Sequence, residues 1–438
     1  MKKTYLYIMM CLFATASFTA CNDYDTAAIG YDDVATDDDP SDDVDPPVID
    51  NAWQLKSVSN NGQFDKKVFV YTDRLYNQMF SRALGWNGGD VLFSYELPDG
   101  NILWGARDSY FGVVDASTRA RREDNKVVRT SMLLQTGDKG NPSAANLLDL
   151  NTMIQTSDPN AADYYVGAEL CPSDKSTRRY YPTLANYHNG KINALFGYYG
   201  TTSAQLRYST AHFEYTLDGT KLVEQSRNTS FNSVTETFDQ SQYEDEDGYT
   251  YMYASALLNG ISGVLVARVP NHNLTAEWEY YVLSTDGVWG WTKDMPSTKT
   301  TYDGPGAGAA LRSNILADNG ECQFPQVLKR DGWYYLFGQR QGDGNEVYIW
   351  RSKTPSGPFV DQKTLFVVPE AVEKLGNRYY DKLSRVVLHQ SISRQGELVF
   401  STTQQTTYNS LDNFTYPGSA DFLRPYFYRV FNWQAIYE

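Results

Sequence analysis

Apolar and polar residues alternate in short runs along most of the chain after residue 50, and turns rich in glycine separate the runs. The best example is residues 88–112, GGDVLFSYELPDGNILWGARDSYFG. Two runs of aliphatic and aromatic residues flank Pro98, Asp99 and Gly100, which supply a preset φ, a turn-forming carboxylate and tolerance of positive φ. This pattern predicts a β-hairpin with a three-residue loop.

The same hairpin carries an aspartate near each of its open ends, Asp90 in front of the first strand and Asp108 behind the second. If the strands pair symmetrically about Asp99, the two residues face each other, and opposed Cβ atoms lie about 4.5 to 5.5 Å apart. The pair is therefore a candidate site of two carboxyl groups. Aspartates are also common as caps and turn formers at strand ends, so a structural role is the alternative.

Four further hairpins repeat this pattern without repeating the aspartate pair. Their turns end at Gly190, Gly248, Gly332 and Gly396. Another pair of strand-like runs follows most of them, so each unit holds about four antiparallel strands, and such units arranged radially form a β-propeller. The sequence predicts an all-β fold, a five-bladed β-propeller of four-stranded antiparallel blades. Residues 51–438 give about 78 residues per blade, which predicts long loops.

Segments outside the hairpins are predicted to close the ring or to connect its blades. Residues 53–58 are expected to pair with the C-terminal strands near residues 426–436, because closure removes exposed sheet edges. Short connector helices are predicted at residues 73–82, with Asp73 as N-cap, and at residues 369–375, with a proline in the first turn.

The N-terminus has the pattern of an export signal. A basic start and an apolar run too short to span a membrane lead to small residues and Cys21. Residues 1–21 resemble a bacterial lipoprotein signal in which Cys21 is lipidated; a plain secretory signal cut near Ala20 is the alternative. Residues 22–50 hold eleven Asp and no Lys or Arg, which predicts a disordered acidic tether. Residues 51–438 would then form a single propeller anchored in the cell envelope, with the outer membrane as the expected location.

Charge and composition exclude several classes of function. Beyond the signal and tether the chain keeps 36 basic and 42 acidic side chains, with no basic patch that would suggest nucleic acid. In an exported protein Cys171 and Cys322 could form a disulfide or stay as buried thiols. Neither the cysteines nor the histidines have the spacing of a metal site, so no cofactor is predicted, although a channel cation such as calcium is compatible with a propeller.

Two parts of the chain resemble known families. Residues 88–112 resemble the opening blade of the five-bladed endo-D-arabinanases and their lipoprotein relatives, with a Gly-Asp start, a Leu-Pro-Asp-Gly turn and an Asp-Ser-Tyr-Phe-Gly finish. Arg107 stands where that family has glycine. Residues 324–337 and 351–359 resemble strands and a Gly-Pro-Phe turn of glycoside hydrolase family 43, which is also five-bladed. Gln323 occupies the position of that family's glutamate.

These resemblances imply a glycosidase that acts on a polysaccharide, with arabinan-like furanosides as one expected substrate. Glycoside hydrolysis needs two carboxyl groups, about 5 to 5.5 Å apart for retention and about 6.5 to 9.5 Å for inversion. Asp90 and Asp108 are the predicted catalytic pair, because their repulsion would raise one pKa and leave one acid and one base. The rival interpretation is a non-catalytic glycan-binding propeller, which Gln323 favours.

Other side chains are predicted to bind the sugar. The inner strands of the other blades would start at the same mouth of the central channel, and plain channel lining is the alternative. The polar residues at these starts are Tyr181, Asp239, Gln323 and His389. A long irregular loop predicted at residues 284–319 carries Trp289 and Trp291, whose indoles could stack on sugars or pack on their own blade. A monomer is expected.

Overall fold

Each hairpin that the sequence predicts is present at the inner edge of a separate antiparallel sheet. The structure is a computed structural model. It describes residues 55–57, 67–151, 153–154, 166–167, 170, 172, 178–200, 207–232, 238, 241–258, 261–283, 286, 288–294, 322–340, 344–368, 382–405 and 416–438. The predicted export signal, the acidic tether and the helix predicted at residues 369–375 lie outside the described residues.

The described part of the chain is almost entirely strand. In chain order the strands are β1 (Leu55–Ser57), β2 (Phe69–Asp73), β3 (Leu84–Glu96), β4 (Ile102–Val113), β5 (Lys126–Gln135), β6 (Leu147–Asp149), β7 (Met153–Ile154), β8 (Val166–Gly167), β9 (Arg178–His188), β10 (Lys191–Gly200), β11 (Arg207–Asp218), β12 (Lys221–Asn232), β13 (Ser241–Glu244), β14 (Tyr249–Leu258), β15 (Ile261–Pro270), β16 (Glu279–Leu283), β17 (Trp289–Thr292), β18 (Gln323–Arg330), β19 (Trp333–Gln339), β20 (Glu346–Ser352), β21 (Val360–Val367), β22 (Lys382–Leu383), β23 (Val387–Leu388), β24 (Glu397–Gln405) and β25 (Pro425–Phe431). The α-helix α1 spans Arg74–Met79, and short 3-10 helices span Ala144–Asn146, Gln390–Ile392, Ser419–Asp421 and Trp433–Tyr437.

The strands form the five predicted blades, so the prediction of an all-β, five-bladed β-propeller is confirmed. Blade one is β3-β4-β5-β6, blade two is β9 to β12, and blade four is β18 to β21. Blade three, β13 to β17, has a fifth strand that the pattern did not predict. In blade five the inner strands β22 and β23 pair with β24, and the sheet continues through β25, β2 and β1.

Ring closure uses a different segment from the predicted one. We expected residues 53–58 to pair with the C-terminal strands, but β2 takes that place and pairs with β25, while β1 pairs with the outer side of β2. The reason is burial. Val68 and Val70 are at most 3% exposed and belong to the apolar cluster between blades four and five, which fixes β2 against β25. The sequence pattern alone did not show which segment pairs with the C-terminal strands.

The blades are held together by apolar clusters that lie between neighbouring sheets. The described buried residues fall into five clusters, and each joins two adjacent blades, including blade five to blade one. In the last of these, Trp104 of β4 packs on Phe80 and on Phe427 of β25. Each blade therefore buries both faces, which is the requirement that makes stacked four-stranded units stable in a ring.

The predicted helix after β2 is present but shorter. Asp73 is its N-cap, and its Oδ1 accepts hydrogen bonds from the backbone N–H groups of Leu75 and Tyr76 at 3.0 and 3.1 Å. The helix ends at Met79 instead of residue 82, and it lies against β25 and blade one through Tyr76. Among the described residues no helix has the length and hydropathy of a membrane span.

Candidate functional site

The hairpin of blade one departs from regular pairing where its two aspartates lie. From Glu96 to Leu92 the pairing is symmetric about Asp99, as predicted. Beyond Leu92 the register shifts three times, and Asp90 lies opposite Arg107. The prediction that Asp90 directly faces Asp108 is therefore wrong.

The physical cause is a set of β-bulges. Val91 and Asp108 both have positive φ, 48° and 38°, which is uncommon for residues other than glycine and marks the irregular step in each strand. A bulge removes a residue from the alternation of the strand and redirects its side chain. Bulges are over-represented beside functional sites for this reason.

Asp108 is held by two neighbours from different strands. Arg129 of β5 forms an ion pair with it, with 2.5 Å between Nη1 and Oδ1, and the hydroxyl of Tyr181 of β9 donates to the same oxygen at 3.4 Å. Burial raises the pKa of Asp108 above its usual value, Arg129 opposes that shift, and the charge of Asp90 adds to it. The side chain is still 33% exposed, so a ligand can reach it.

Asp90 takes its partners from blade five. Its Oδ1 accepts hydrogen bonds from the hydroxyl of Ser384, which follows β22, and from the hydroxyl of Thr403 of β24 at 3.3 Å. Because these donors belong to the inner strands of the neighbouring blade, Asp90 lies at the junction of blades five and one. Asp108 lies at the junction of blades one and two through Tyr181.

Tyr181 lies beside the aspartates, as the sequence analysis expected of an inner-strand start. Its hydroxyl also accepts a hydrogen bond from Nη1 of Arg179 at 3.1 Å. Burial is the main cause that raises its pKa, and Asp108 adds to the effect, so the hydroxyl stays a donor. The predicted site residue Asp239 lies outside the described residues.

His389 is fully buried and so can neither bind a sugar nor line the channel, and the prediction that it binds the sugar is wrong. Its side chain is fully buried, its Nδ1 lies 2.9 Å from the hydroxyl of Ser94, and its Nε2 lies 2.7 Å from that of Ser401. The ring packs on Trp104, and burial lowers its pKa to about 3. His389 is a neutral core histidine that bridges blades one and five.

Gln323, Trp289 and Trp291 are not brought to the aspartates by any described contact. Gln323 begins β18 of blade four, and its Oε1 is buried without a hydrogen-bond partner among the described residues. Trp289 and Trp291 were expected in a loop but form β17, the outermost strand of blade three. Their rings pack on Tyr281, at 5.2 and 5.0 Å between centroids. The two indoles pack on their own blade, as the alternative expects, and their contact with a sugar stays a prediction.

A clamp around the first bulge fixes the strand that carries Asp90. The clamp consists of Arg121, Asn87 and the backbone of residues 419–423. Arg121 is 3% exposed, and its guanidinium donates to Asn87 Oδ1 at 2.8 Å and to the carbonyls of Ser419 and Phe422 at 2.6 and 2.8 Å. A Cβ on Gly88 would lie 2.6 Å from a backbone carbonyl oxygen of this segment, so only glycine fits there.

A cavity of about 320 Å³ lies in the channel towards the turn end of the blade-one hairpin. All five inner strands or the segments just after them contribute to its wall. The wall includes one of the following residues from each of blades one to five, in that order: Ser94, Ala185, Gln242, Gln326 and Leu388. The cavity leaves a space at the centre of the described blades. Among the described residues no group of three or more His, Cys, Asp or Glu is placed to hold a metal ion.

Sequence reasoning missed the partners of the aspartates. Arg129, Arg179 and Thr403 come from three different strands and Ser384 follows a fourth, and none belongs to a local motif. The alternation within β5 and β9 places Arg129 and Arg179 in strands, but it does not say which neighbour they meet. Only the order of the blades around the ring brings them together.

These features define the protein as a five-bladed β-propeller with two aspartates, a tyrosine and arginines gathered where blades five, one and two meet. The chain belongs to the family described as "Domain of unknown function (DUF5005)", which matches residues 73–433. A crystal structure of a "putative hydrolase" from Bacteroides ovatus is 38% identical, covers 90% of this chain and 98% of that one, and gives a TM-score of 0.80.

More distant matches are described as a GH43_1 enzyme and a β-xylosidase. A GH43_1 enzyme from Xanthomonas citri is 14% identical, covers 81% of this chain and 91% of that one, and gives a TM-score of 0.40. A β-xylosidase, RS223, is 12% identical with a TM-score of 0.41, over 79% of this chain and 93% of that one. At these values the likeness carries no argument about chemistry. No curated protein matches the sequence.

Proposed function

We propose that this protein is a glycoside hydrolase in which Asp90 and Asp108 are the two catalytic carboxyl groups. The observation that carries the proposal is the environment of Asp108: its pKa is raised by burial and by the charge of Asp90, while the side chain stays open to a ligand. A carboxyl group with a raised pKa next to an acidic neighbour suits an acid and base pair. The description of the Bacteroides ovatus relative as a hydrolase supports the same class.

The two residues take different roles. Asp108 donates its proton to the glycosidic oxygen as the bond from that oxygen to the anomeric carbon breaks. Asp90, held by two hydroxyl donors, acts at the anomeric carbon, either as the nucleophile or as the base for a water molecule. Tyr181 keeps the Asp108 carboxyl oriented through its hydroxyl. The anomeric configuration of the first product distinguishes the two roles of Asp90.

A non-catalytic glycan-binding propeller is the second candidate. The ion pair between Asp108 and Arg129 favours it, because an arginine partner stabilises the ionised carboxylate and opposes proton donation. Gln323, in place of an acid, points the same way.

A panel of polysaccharides, including arabinan, xylan and acidic polymers, tests both candidates. New reducing ends together with binding support the hydrolase. Binding of a polymer that is never cleaved supports the second candidate and contradicts the first.

We further propose that the protein is held at the outer membrane by a lipid on Cys21. The support is the short apolar run that ends at small residues and a cysteine, followed by an acidic tether without basic residues. Cys21→Ala should move the protein from the membrane fraction to the soluble fraction, or leave it unprocessed. Membrane retention of the processed variant, with no lipid on residue 21 by mass spectrometry, would contradict the proposal.

A further inference from the structure

Arginines from blades one and two converge on the side of the site where Asp108 lies. Arg129 pairs with Asp108, and Arg179 donates to the hydroxyl of Tyr181. The guanidinium carbons of Arg179 and Arg107 each lie 5.9 Å from the centre of the Tyr181 ring. Two guanidinium groups thus lie beside Tyr181, and a third pairs with Asp108, to which Tyr181 donates.

One of these arginines keeps an unused donor. Nε of Arg179 is buried and has no hydrogen-bond partner among the described residues. Buried donors are nearly always paired, so an unpaired one needs an explanation. Nη1 of the same guanidinium bonds only to the neutral hydroxyl of Tyr181 in the described contacts, although a guanidinium fork fits two oxygens of one anion.

The charge of Asp108 accounts for only part of this arrangement, because Arg179 lowers the pKa of that carboxyl group less than Arg129 does. Arg129 already forms the ion pair with that carboxylate, and the described hydrogen bond of Arg179 goes to Tyr181 instead. The charge of the whole chain does not explain it either. The formal net charge is −15, which opposes any general attraction of polyanions and makes this cluster a local exception.

We propose that the substrate of this site is an acidic glycan, and that Arg179 and Arg129 bind a carboxylate or sulfate group next to the bond that is cleaved. This inference rests on the proposed function and narrows it, because a neutral arabinan would leave the arginines without a ligand. It also assigns a role to the ion pair between Arg129 and Asp108. When the substrate anion takes over Arg129, the influence that lowers the pKa of Asp108 weakens, and the carboxyl group is protonated in the complex.

Binding to matched pairs of polymers tests the inference. The first pair is polygalacturonate and its methyl ester, and the second is a sulfated galactan and the same galactan after desulfation. Binding is measured by calorimetry on protein with Asp90→Asn, so that turnover does not consume the ligand. We expect at least one charged polymer to bind about ten-fold or more tightly than its neutral partner, with an affinity that falls as salt rises. Preference within the first or the second pair identifies carboxylate or sulfate.

Arginine variants then locate the binding group. Arg179→Gln should reduce the preference for the charged polymer about ten-fold, and Arg179→Lys should restore part of it. Arg122→Gln is the matched control, because Arg122 pairs with Asp124 in the connection between β4 and β5 and has no described contact with Asp108 or Tyr181. Melting temperatures of all variants show that the fold is intact.

The outcomes separate this inference from the proposed function. Equal or tighter binding of the neutral polymers, or a preference that Arg179→Gln leaves unchanged, overturns the acidic substrate even if neutral polymers are cleaved. Charged polymers that bind through Arg179 but are never cleaved by the wild-type protein uphold the acidic ligand and overturn the hydrolase.

Discussion

At the scale of single residues, the account depends on how burial and the charges of Asp90 and Arg129 set the protonation of Asp108. Burial and Asp90 raise its pKa, and Arg129 lowers it. A general acid must be protonated, so kcat/KM should fall as the pH rises through this pKa. Arg129→Gln removes the influence that lowers the pKa, and the alkaline limb of the pH profile should move to higher pH.

The position of the limb is the measured quantity, because Arg129→Gln also weakens substrate binding and lowers the rate at every pH. Arg122→Gln should leave the limb in place, because the ion pair of Arg122 is with Asp124 and not with Asp108. A limb that stays unchanged in Arg129→Gln, or that moves to lower pH, would contradict the role of Asp108 as the acid.

Residue types and local turns were enough to predict that Asp90, Asp108 and Tyr181 are neighbours, because all three belong to the inner hairpins of adjacent blades. They failed for His389, since a strand position does not say whether a side chain faces the channel or the next blade. Arg129 and Arg179 were out of reach, because their contacts depend on the twist and packing of whole sheets.

At the scale of elements, the bulged start of β3 is the feature that positions Asp90. A Cβ at position 88 would meet backbone as well as the buried Arg121. Gly88→Ala should therefore lower the free energy of unfolding by about 1–3 kcal/mol. It should also reduce turnover, by up to about a hundred-fold, since a displacement of about 1 Å at a reacting group can cost that much.

Gly290→Ala is the control for this change. Gly290 also lies in a strand, but no atom lies within 4 Å of the Cβ that alanine would add. It should change neither stability nor turnover. Normal stability and turnover in Gly88→Ala would show that the clamp does not hold Asp90.

The elements themselves were largely predictable. Turn residues such as Asp99 and Gly100 act locally, and Gly100 has the positive φ that the hairpin loop needs. The bulges were not predictable, because contacts with Arg121 and with residues 419–423 hold the strand in place. Residues 419–423 lie more than 300 positions away in the sequence. The sequence pattern predicts a loop where the extra strand β17 lies, because the glycine and tryptophans of β17 do not alternate with polar residues.

At the scale of the whole molecule, an ion triad ties β2, near the start of the described ring, to the last two strands, β24 and β25. Arg429 of β25 bonds to Asp73 at 2.6 Å and to Glu397 of β24 at 2.5 Å, and all three side chains are at most 4% exposed. Arg429→Met would leave Asp73 with only its helix-capping hydrogen bonds, and Glu397 would keep only the contacts with Arg394, whose side chain is 52% exposed. We expect a loss of about 3–5 kcal/mol in the free energy of unfolding by urea.

The control is Lys293→Met, which breaks an ion pair with Glu277 at the surface, where both side chains are at least 60% exposed. Its unfolding curve should match that of the wild type. A single transition is expected for each protein, because apolar clusters join each described blade to its neighbours. An unchanged midpoint for Arg429→Met would show that the triad does not close the ring.

The central claim is that Asp90 and Asp108 carry out glycosidic cleavage, and turnover of their amide variants tests it most directly. On a polysaccharide that the wild type cleaves, Asp90→Asn and Asp108→Asn should each lower kcat/KM by at least about a hundred-fold. Asp99→Asn, at the turn of the same hairpin, should leave it unchanged, since asparagine also forms that turn. Melting temperatures should stay close to that of the wild type in all three. Full turnover by either Asp90→Asn or Asp108→Asn in a folded protein would contradict the account.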